Sequence, residues 1–143
     1  DLGCFEILDG EYARYDPAVI WTDQRWKFTK INISGPVEIE KSFYNQPWKT
    51  SHLKTFRVRD FKGLNPKNFK DEDGEWIIIA CDQAIFLPML ERARVRKRPI
   101  IYIPRTMYHY NCEAVEDRSI FFKQRALKQK DMAKWIRKRG YLP

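Results

Sequence analysis

The sequence lacks any long apolar run: its longest uncharged apolar stretch, residues 84–90, is far too short to cross a bilayer. It is also poor in cysteine. The three cysteines, Cys4, Cys81 and Cys112, are odd in number and have no CxxC spacing, which argues against both a disulfide framework and a zinc site. The first residues do not have the charged, apolar and small-residue pattern of a signal peptide. Reduced thiols and no such signal lead us to expect a cytoplasmic protein.

Acidic residues are outnumbered, with 19 Asp and Glu against 27 Lys and Arg, and the formal net charge of +8 implies attraction to an anionic partner. Residues 92–98 and 123–139 hold thirteen of the 27 basic residues, so the excess lies in the C-terminal third. Hydrophobic residues make up 43% and aromatics 15% of the chain, which predicts a folded protein. With 143 residues, a single domain over 1–143 is expected.

Apolar periodicity and turn residues predict an α/β fold, in which a mixed sheet is flanked by helices and a long basic helix ends the chain. Helices are predicted at residues 1–15, after Arg57 to Leu64, at 82–93 with a kink or break at Pro88, and at 119–139. Strands are predicted at 18–23, at 26–34 with a bulge, at 52–57, at 76–80, at 99–103 and at 106–110. Residues 65–74 form a polar loop, in which Asp71, Asp73 and Gly74 lack the further ligands of a calcium loop and indicate a solvated turn.

Asp82 follows the apolar run 76–81 and precedes a helical pattern. The junction of a buried strand and a helix is a common place for α/β proteins to keep a functional acid or base. The same position suits a helix N-cap, because Asp accepts hydrogen bonds from the first unpaired N–H groups. The local pattern favours the cap.

Four blocks of sequence over residues 48–111 resemble glycosyltransferases of the family 2 kind with the GT-A fold. The blocks are Trp48 with Ser51-His52-Leu53 and Thr55-Phe56-Arg57; Lys70-Asp71 with Gly74-Glu75; Asp82 with Ala84 and Pro88-Met89-Leu90-Glu91; and Tyr108-x-Tyr110-Asn111. They occur in the family's order with similar gaps. The helix before Asp16 and the strand at 19–21 also fit the segment that comes after the metal-binding motif in that fold.

The resemblance implies transfer of a sugar, with inversion, from a nucleotide-diphosphate sugar to the hydroxyl of a glycan or another acceptor. It places the general base at Asp82, and a carboxylate in a cleft can take the proton that an attacking hydroxyl must lose. The family's nucleotide-binding half, with its Asp-x-Asp motif for Mn²⁺ or Mg²⁺, is not in these residues. We therefore expect the acceptor-binding, C-terminal half of such an enzyme, with a divalent metal in the complete enzyme but none bound by this chain alone. The missing half is then a further partner.

The resemblance also suggests roles for other residues, each with a structural alternative. His52 either lines the acceptor pocket or is an ordinary hydrogen-bonded histidine. Arg57 either binds a diphosphate or an anionic acceptor, since its fork matches phosphate oxygens, or forms a surface ion pair, which is the favoured alternative. Trp48 and Trp76 either stack on a sugar ring or lie in the core, and core burial is favoured. Asp71 is placed near the acceptor or its loop. The donor-side candidates are His109, Asn111 and Arg118.

A competing hypothesis is a non-catalytic module that binds an anionic polymer or a membrane surface through residues 92–98 and 123–139. The C-terminal helix is basic and amphipathic, as peripheral membrane helices often are, although its apolar stripe could equally pack on the sheet. Nucleic acid is not expected as the partner, because the sequence contains no nucleic-acid motif and its aromatics are not interleaved with the basic runs.

Overall fold

The computed structural model describes residues 3–27, 29–111 and 120–143, and for residues 120–123 the backbone alone. The elements in chain order are α1 (Cys4–Tyr15), β1 (Val19–Trp26), a 3-10 helix (Phe43–Asn45), β2 (Lys54–Phe56), α2 (Val58–Phe61), a second 3-10 helix (Pro66–Phe69), α3 (Cys81–Val95), β3 (Ile100–Tyr110) and α4 (Ile120–Arg139). The predicted mixed α/β class is confirmed. None of the helices in the described part of the chain is both long and apolar enough to span a membrane.

The sheet has three strands in the order β2-β1-β3. β1 pairs antiparallel with β2 and parallel with β3, so it is the central strand. Its first residues, Val19, Ile20 and Trp21, are at most 1% exposed, as expected for a strand covered on both faces. The register with β3 shifts between Thr22 and Gln24, a bulge-like irregularity that lets one long β3 replace the two strands predicted at 99–103 and 106–110.

Helix α3 contributes more residues to the hydrophobic core than any other described element. Leu87, Met89 and Leu90 are almost fully buried, and Pro88 is buried among them. The helix runs from Cys81 to Val95 without the break predicted at Pro88. The predicted helix at 82–93 is therefore confirmed, with its N-terminal end one residue earlier.

Helix α4 packs through its C-terminal half. Ile136 is fully buried, and Met132 and Trp135 pack against the core, whereas Leu127 in the other half of the helix is 62% exposed. Arg137 donates hydrogen bonds to the backbone carbonyls of Phe43, Tyr44 and Gln46. The apolar stripe of this half thus packs back on the rest of the protein, but mainly against α3 and the 3-10 helix Phe43–Asn45 and not, as the alternative predicted, against the sheet.

Two strand predictions are wrong. Beyond Trp26 the chain turns, with Lys30 N–H donating to the Trp26 carbonyl, and the described residues 29–34 form no strand; Phe28 of the predicted strand lies outside the described residues. Residues 76–80 form only an isolated bridge between Lys70 and Trp76. The predicted helix at 1–15 is confirmed over Cys4–Tyr15, and the strand-then-helix prediction around Arg57 is confirmed by β2 and α2. Residues 65–74 include the 3-10 helix Pro66–Phe69 and are not entirely loop.

Candidate functional site

A groove lies at the edge of the sheet where β1 and β3 end. Because these two strands are parallel, their last residues, Trp26 and Tyr110, are partners in the register, and their rings lie 6.5 Å apart. The chain enters antiparallel β2 at the same edge, which brings Ser51 and His52 beside them. The carboxyl ends of parallel strands are the usual position of ligand crevices in α/β sheets.

The groove consists of two adjoining pockets that share His52, Asp82, Tyr110 and Gln129. The inner pocket, of about 230 Å³, also has amide, hydroxyl and aromatic side chains in its lining: Gln24, Trp26, Trp48, Ser51 and Gln83. The outer pocket, of about 400 Å³, adds Ile78, Ile79, Ala80, Cys81, Arg125 and Ala126. Asp82 is the one carboxylate among the described residues that line either pocket.

Asp82 belongs to the first turn of α3 but does not cap it. The N-cap is Ala80, in the left-handed conformation with φ 58°, and it makes no side-chain cap hydrogen bond. The prediction that Asp82 is the N-cap is therefore wrong. A carboxylate in the first turn is still favoured by the positive end of the helix dipole. Its side chain remains available for contacts outside the helix, and it is about one-third exposed to solvent.

The ammonium of Lys54 lies behind Asp82. Lys54 Nζ is 3.6 Å from Asp82 Oδ2, an ion pair just beyond hydrogen-bond length, and the lysine side chain is 4% exposed. Nζ also lies over the rings of Trp48 and Phe86, at 4.7 and 4.5 Å from their centroids, and has no hydrogen-bond partner among the described residues. Burial lowers the pKa of Lys54, and the negative charge of Asp82 opposes that effect. Lys54 therefore holds the carboxylate electrostatically from the protein side.

His52 lies between the groove and two tyrosines of β3. Its ring stacks on Tyr110 at 5.7 Å and contacts Tyr108 at 5.2 Å between centroids. Partial burial lowers the pKa of His52 below 6.5, and the nearby Lys54 ammonium adds to this, while Asp82 acts in the opposite sense. The imidazole is therefore neutral at pH 7 and can either donate or accept a hydrogen bond to a bound hydroxyl.

Buried hydrogen bonds fix the polar wall of the inner pocket. Ser51 Oγ donates to Gln24 Oε1 at 2.9 Å, and both residues are almost completely buried. Trp48 is half-buried and packs against the core, with the Lys54 ammonium over its ring. The core alternative for Trp48 is thus correct in part, because its half-buried indole contacts the core. The indole also lines the inner pocket, and its stacking on a sugar ring stays a prediction.

Three predicted acceptor-side residues do not line the groove. Arg57 contacts α1 instead: its guanidinium pairs with Asp16 at 3.3 Å and lies over the ring of Tyr12, so the ion-pair alternative describes its geometry. Asp71 accepts hydrogen bonds from the backbone N–H groups of Asp73 and Glu75, which confirms the solvated turn. Trp76 is 60% exposed, with Lys70 Nζ over its ring. Burial of Trp76 in the core, the favoured alternative, is wrong.

The donor-side candidates lie at or beyond the end of β3. His109 is exposed near the end of the strand, next in sequence to Tyr108 and Tyr110, and Asn111 is exposed just after it. Arg118 lies outside the described residues. Among the described residues, no group of three or more His, Cys, Asp or Glu side chains could hold a metal ion. Because Mg²⁺ and Mn²⁺ sites need several oxygen ligands, we assign no metal to these residues.

The sequence reasoning missed Lys54, Gln129 and Arg125. Lys54 had a signal, because His52, Lys54 and Phe56 alternate along a strand pattern and so share a face with a predicted site residue. Gln129 and Arg125 reach the groove from α4, far away in sequence, and no pattern in the sequence indicated them.

No protein-family model matches the chain, and no curated protein or solved structure is significantly similar to it.

Proposed function

We propose that the chain is the acceptor-side part of an inverting glycosyltransferase, in which Asp82 is the general base. The observation that carries this proposal is the isolated carboxylate of Asp82 in the groove at the carboxyl ends of β1 and β3, backed by the buried Lys54 ammonium. A groove whose described lining has one carboxylate, one neutral imidazole and no second acid suits proton abstraction better than a mechanism that needs two carboxylates.

The proposed step is a single displacement. The oxygen of the acceptor hydroxyl forms a bond to the anomeric carbon of the donor sugar, the bond from that carbon to the nucleoside diphosphate breaks, and the electron pair leaves with the diphosphate. The hydroxyl proton passes to Asp82. Attack from the side opposite the leaving group inverts the anomeric configuration. In this proposal the donor is bound by the nucleotide-binding half that the sequence resemblance implies.

The inner pocket has the side chains that sugar acceptors need. Gln129 is exposed and Gln83 partly exposed, so their neutral amides can bond to sugar hydroxyls, and the aromatic rings of the pocket offer faces for C–H groups. Gln24 and Ser51 are almost completely buried and bonded to each other, so they support the pocket wall from behind. The neutral His52 stands on the wall next to Asp82. These groups would orient the hydroxyl, whereas Asp82 is the group that accepts its proton.

The test compares Asp82→Asn with Asp131→Asn in protein expressed from its whole reading frame. Nucleoside diphosphate release is measured with UDP-, GDP- and dTDP-sugars and a panel of glycan acceptors. General-base catalysis contributes about 10²–10⁴-fold, so Asp82→Asn should lower kcat by about that factor. Asp131 is 76% exposed on α4 and pairs only loosely with Lys134, at 3.9 Å, so its variant should retain wild-type activity. Wild-type protein that transfers no sugar, or Asp82→Asn protein that transfers it normally, would refute the proposal.

The competing role, a basic module for an anionic polymer, has less support from the 92–98 segment than its composition suggests. Arg92 donates hydrogen bonds to the backbone carbonyls of Asp60 and Lys62. Arg94 pairs with Glu91, and Arg98 pairs with Asp16. These three side chains have partners within the fold. Of the basic side chains described on α4, those other than Arg137 and Arg139 are exposed to solvent.

A further inference from the structure

The outer pocket continues into a third pocket along α4. The two share Ile78, Ile79 and Arg125, and the third, of about 300 Å³, adds Gln124 and Lys128. The surface is therefore continuous from the Asp82 carboxylate, past Arg125, to Lys128. We call the part lined by Ile78, Ile79, Gln124, Arg125 and Lys128 the distal pocket.

The distal pocket is cationic, unlike the inner pocket. Arg125 and Lys128 line it, and none of its described lining residues is acidic. They are about one helical turn apart on α4, which places both charges on the same side of the helix. An arginine fork and a neighbouring ammonium suit a phosphate or carboxylate group.

The opposite wall of the distal pocket is apolar and exposed. Ile78 is 82% exposed to solvent, which is unusual for a large aliphatic side chain, whereas the preceding Ile77 is well buried. Ile79 lies beside it in the same wall. The Ile78 side chain does not serve the core. An apolar surface next to a cationic one matches an anionic amphiphile, whose chain and charged group are adjacent.

We infer that the distal pocket binds an anionic group together with an adjoining apolar segment of the acceptor, so that the acceptor is an amphiphile carrying a phosphate or carboxylate. This inference rests on the proposed function for the role of the ligand, but binding itself does not depend on turnover. The acceptor hydroxyl would lie at Asp82, the anionic group at Arg125 and Lys128, and the apolar segment against Ile78 and Ile79.

Binding is measured by calorimetry with decyl phosphate, below its critical micelle concentration, as the probe. Decyl β-glucoside is the comparison without a charge, and inorganic phosphate is the comparison without an alkyl chain. Decyl phosphate should bind at least tenfold more tightly than either. The Arg125→Gln/Lys128→Gln variant should lose at least tenfold of that affinity, and Ile78→Asn should lose part of it. The matched control, Lys130→Gln/Lys134→Gln, removes the same charge from the same helix outside the pocket and should bind like wild type.

Three results would each overturn the inference: decyl β-glucoside binds as tightly as decyl phosphate, the two double variants lose the same affinity for decyl phosphate, or decyl phosphate does not bind. Inorganic phosphate binding as tightly as decyl phosphate would overturn the apolar part of it. Sugar transfer is measured separately on the same proteins. Probe binding without transfer refutes the proposed function alone, and transfer without probe binding refutes the distal pocket alone.

Discussion

Substitution of Asp82 by Asn should destabilise the fold because it leaves the Lys54 ammonium buried without its counter-charge. The two groups are 3.6 Å apart, and the lysine side chain is 4% exposed. At an effective dielectric constant of about 20, the attraction is about 4–5 kcal/mol. Asp82 is about one-third exposed, so water screens part of that attraction. We expect a loss of about 2–3 kcal/mol in the free energy of unfolding, below the usual range for breaking a fully buried pair.

The Lys54→Met variant separates this structural effect from the chemistry. Methionine fills much of the space between Trp48 and Phe86 without a charge, and the Asp82 carboxylate that remains is partly hydrated. We expect a change within about 1 kcal/mol. In the Lys54→Met/Asp82→Asn double variant most of the lost stability should return, which gives a coupling free energy of about 2 kcal/mol. The double variant should be folded and still inactive in sugar transfer.

The stability that the Asp82→Asn variant loses should also depend on pH. The pKa of Lys54 in the folded protein is lowered by burial from its usual 10.5, so between the folded and unfolded values the unfolded chain binds more protons and stability rises with pH. Without the negative charge of Asp82, the pKa of Lys54 in the folded protein falls further. The deficit of Asp82→Asn relative to wild type is therefore greatest near pH 7 and shrinks towards about pH 10.5 as Lys54 becomes neutral in both proteins.

Urea unfolding followed by tryptophan fluorescence at pH 7 and pH 9.5 measures all four proteins of the cycle, with Asp131→Asn as the exposed control. A loss in Asp82→Asn no larger than in Asp131→Asn would refute the reasoning. So would a coupling free energy below about 0.5 kcal/mol, the size expected for independent sites, or a deficit that stays constant between the two pH values.

Two further predictions concern residues outside the groove. Arg139 donates hydrogen bonds to three backbone carbonyls in residues 67–70. Arg139→Met should therefore lower the free energy of unfolding, measured in urea, by about 2–3 kcal/mol. The control Lys138→Met, at an exposed position, should change it by less than about 0.5 kcal/mol. Burial and the hydrogen bond to Asp23 raise the pKa of Tyr102 to about 12, so stability should fall as pH rises from about 10 to 12, and Tyr102→Phe should flatten that fall in thermal melts. Equal losses for the two cation variants, or an unchanged pH slope, would contradict these predictions.

Apolar periodicity predicted α3 and the central strand β1 well, since each of these two elements buries more than half of its side chains. It failed at residues 76–80 because a short apolar run specifies neither the burial of each of its residues nor their backbone pairing. Here Ile77 packs in the core while Ile78 points to solvent, and β1 already has β2 and β3 on its two sides. The run leads to the start of α3 as a loop with a bend at residues 79–80, without a neighbouring strand among the described residues.

The candidate site was predictable only where its residues lie in local motifs. His52 and Asp82 could be selected from their sequence surroundings, and the structure brings both to one groove. Arg57 and Asp71 occupy equally suggestive positions in sequence, but their side chains are committed to Asp16 and to a local turn. Which polar residue faces a groove depends on what the tertiary structure places next to it, and a single sequence does not contain that information.

The position of Asp82 shows how a small backbone detail removes the N-cap alternative. Had Asp82 been the N-cap, its oxygens would have accepted hydrogen bonds from the first N–H groups of the helix and turned away from β2. Ala80 takes the cap position instead, and its φ of 58° starts the helix at Cys81. Asp82 then lies one residue inside the helix, near its positive end, within ion-pair distance of Lys54. The register of β2 on β1 sets Lys54 opposite Trp21, so the sheet and the helix start together bring the carboxylate and the ammonium to the groove.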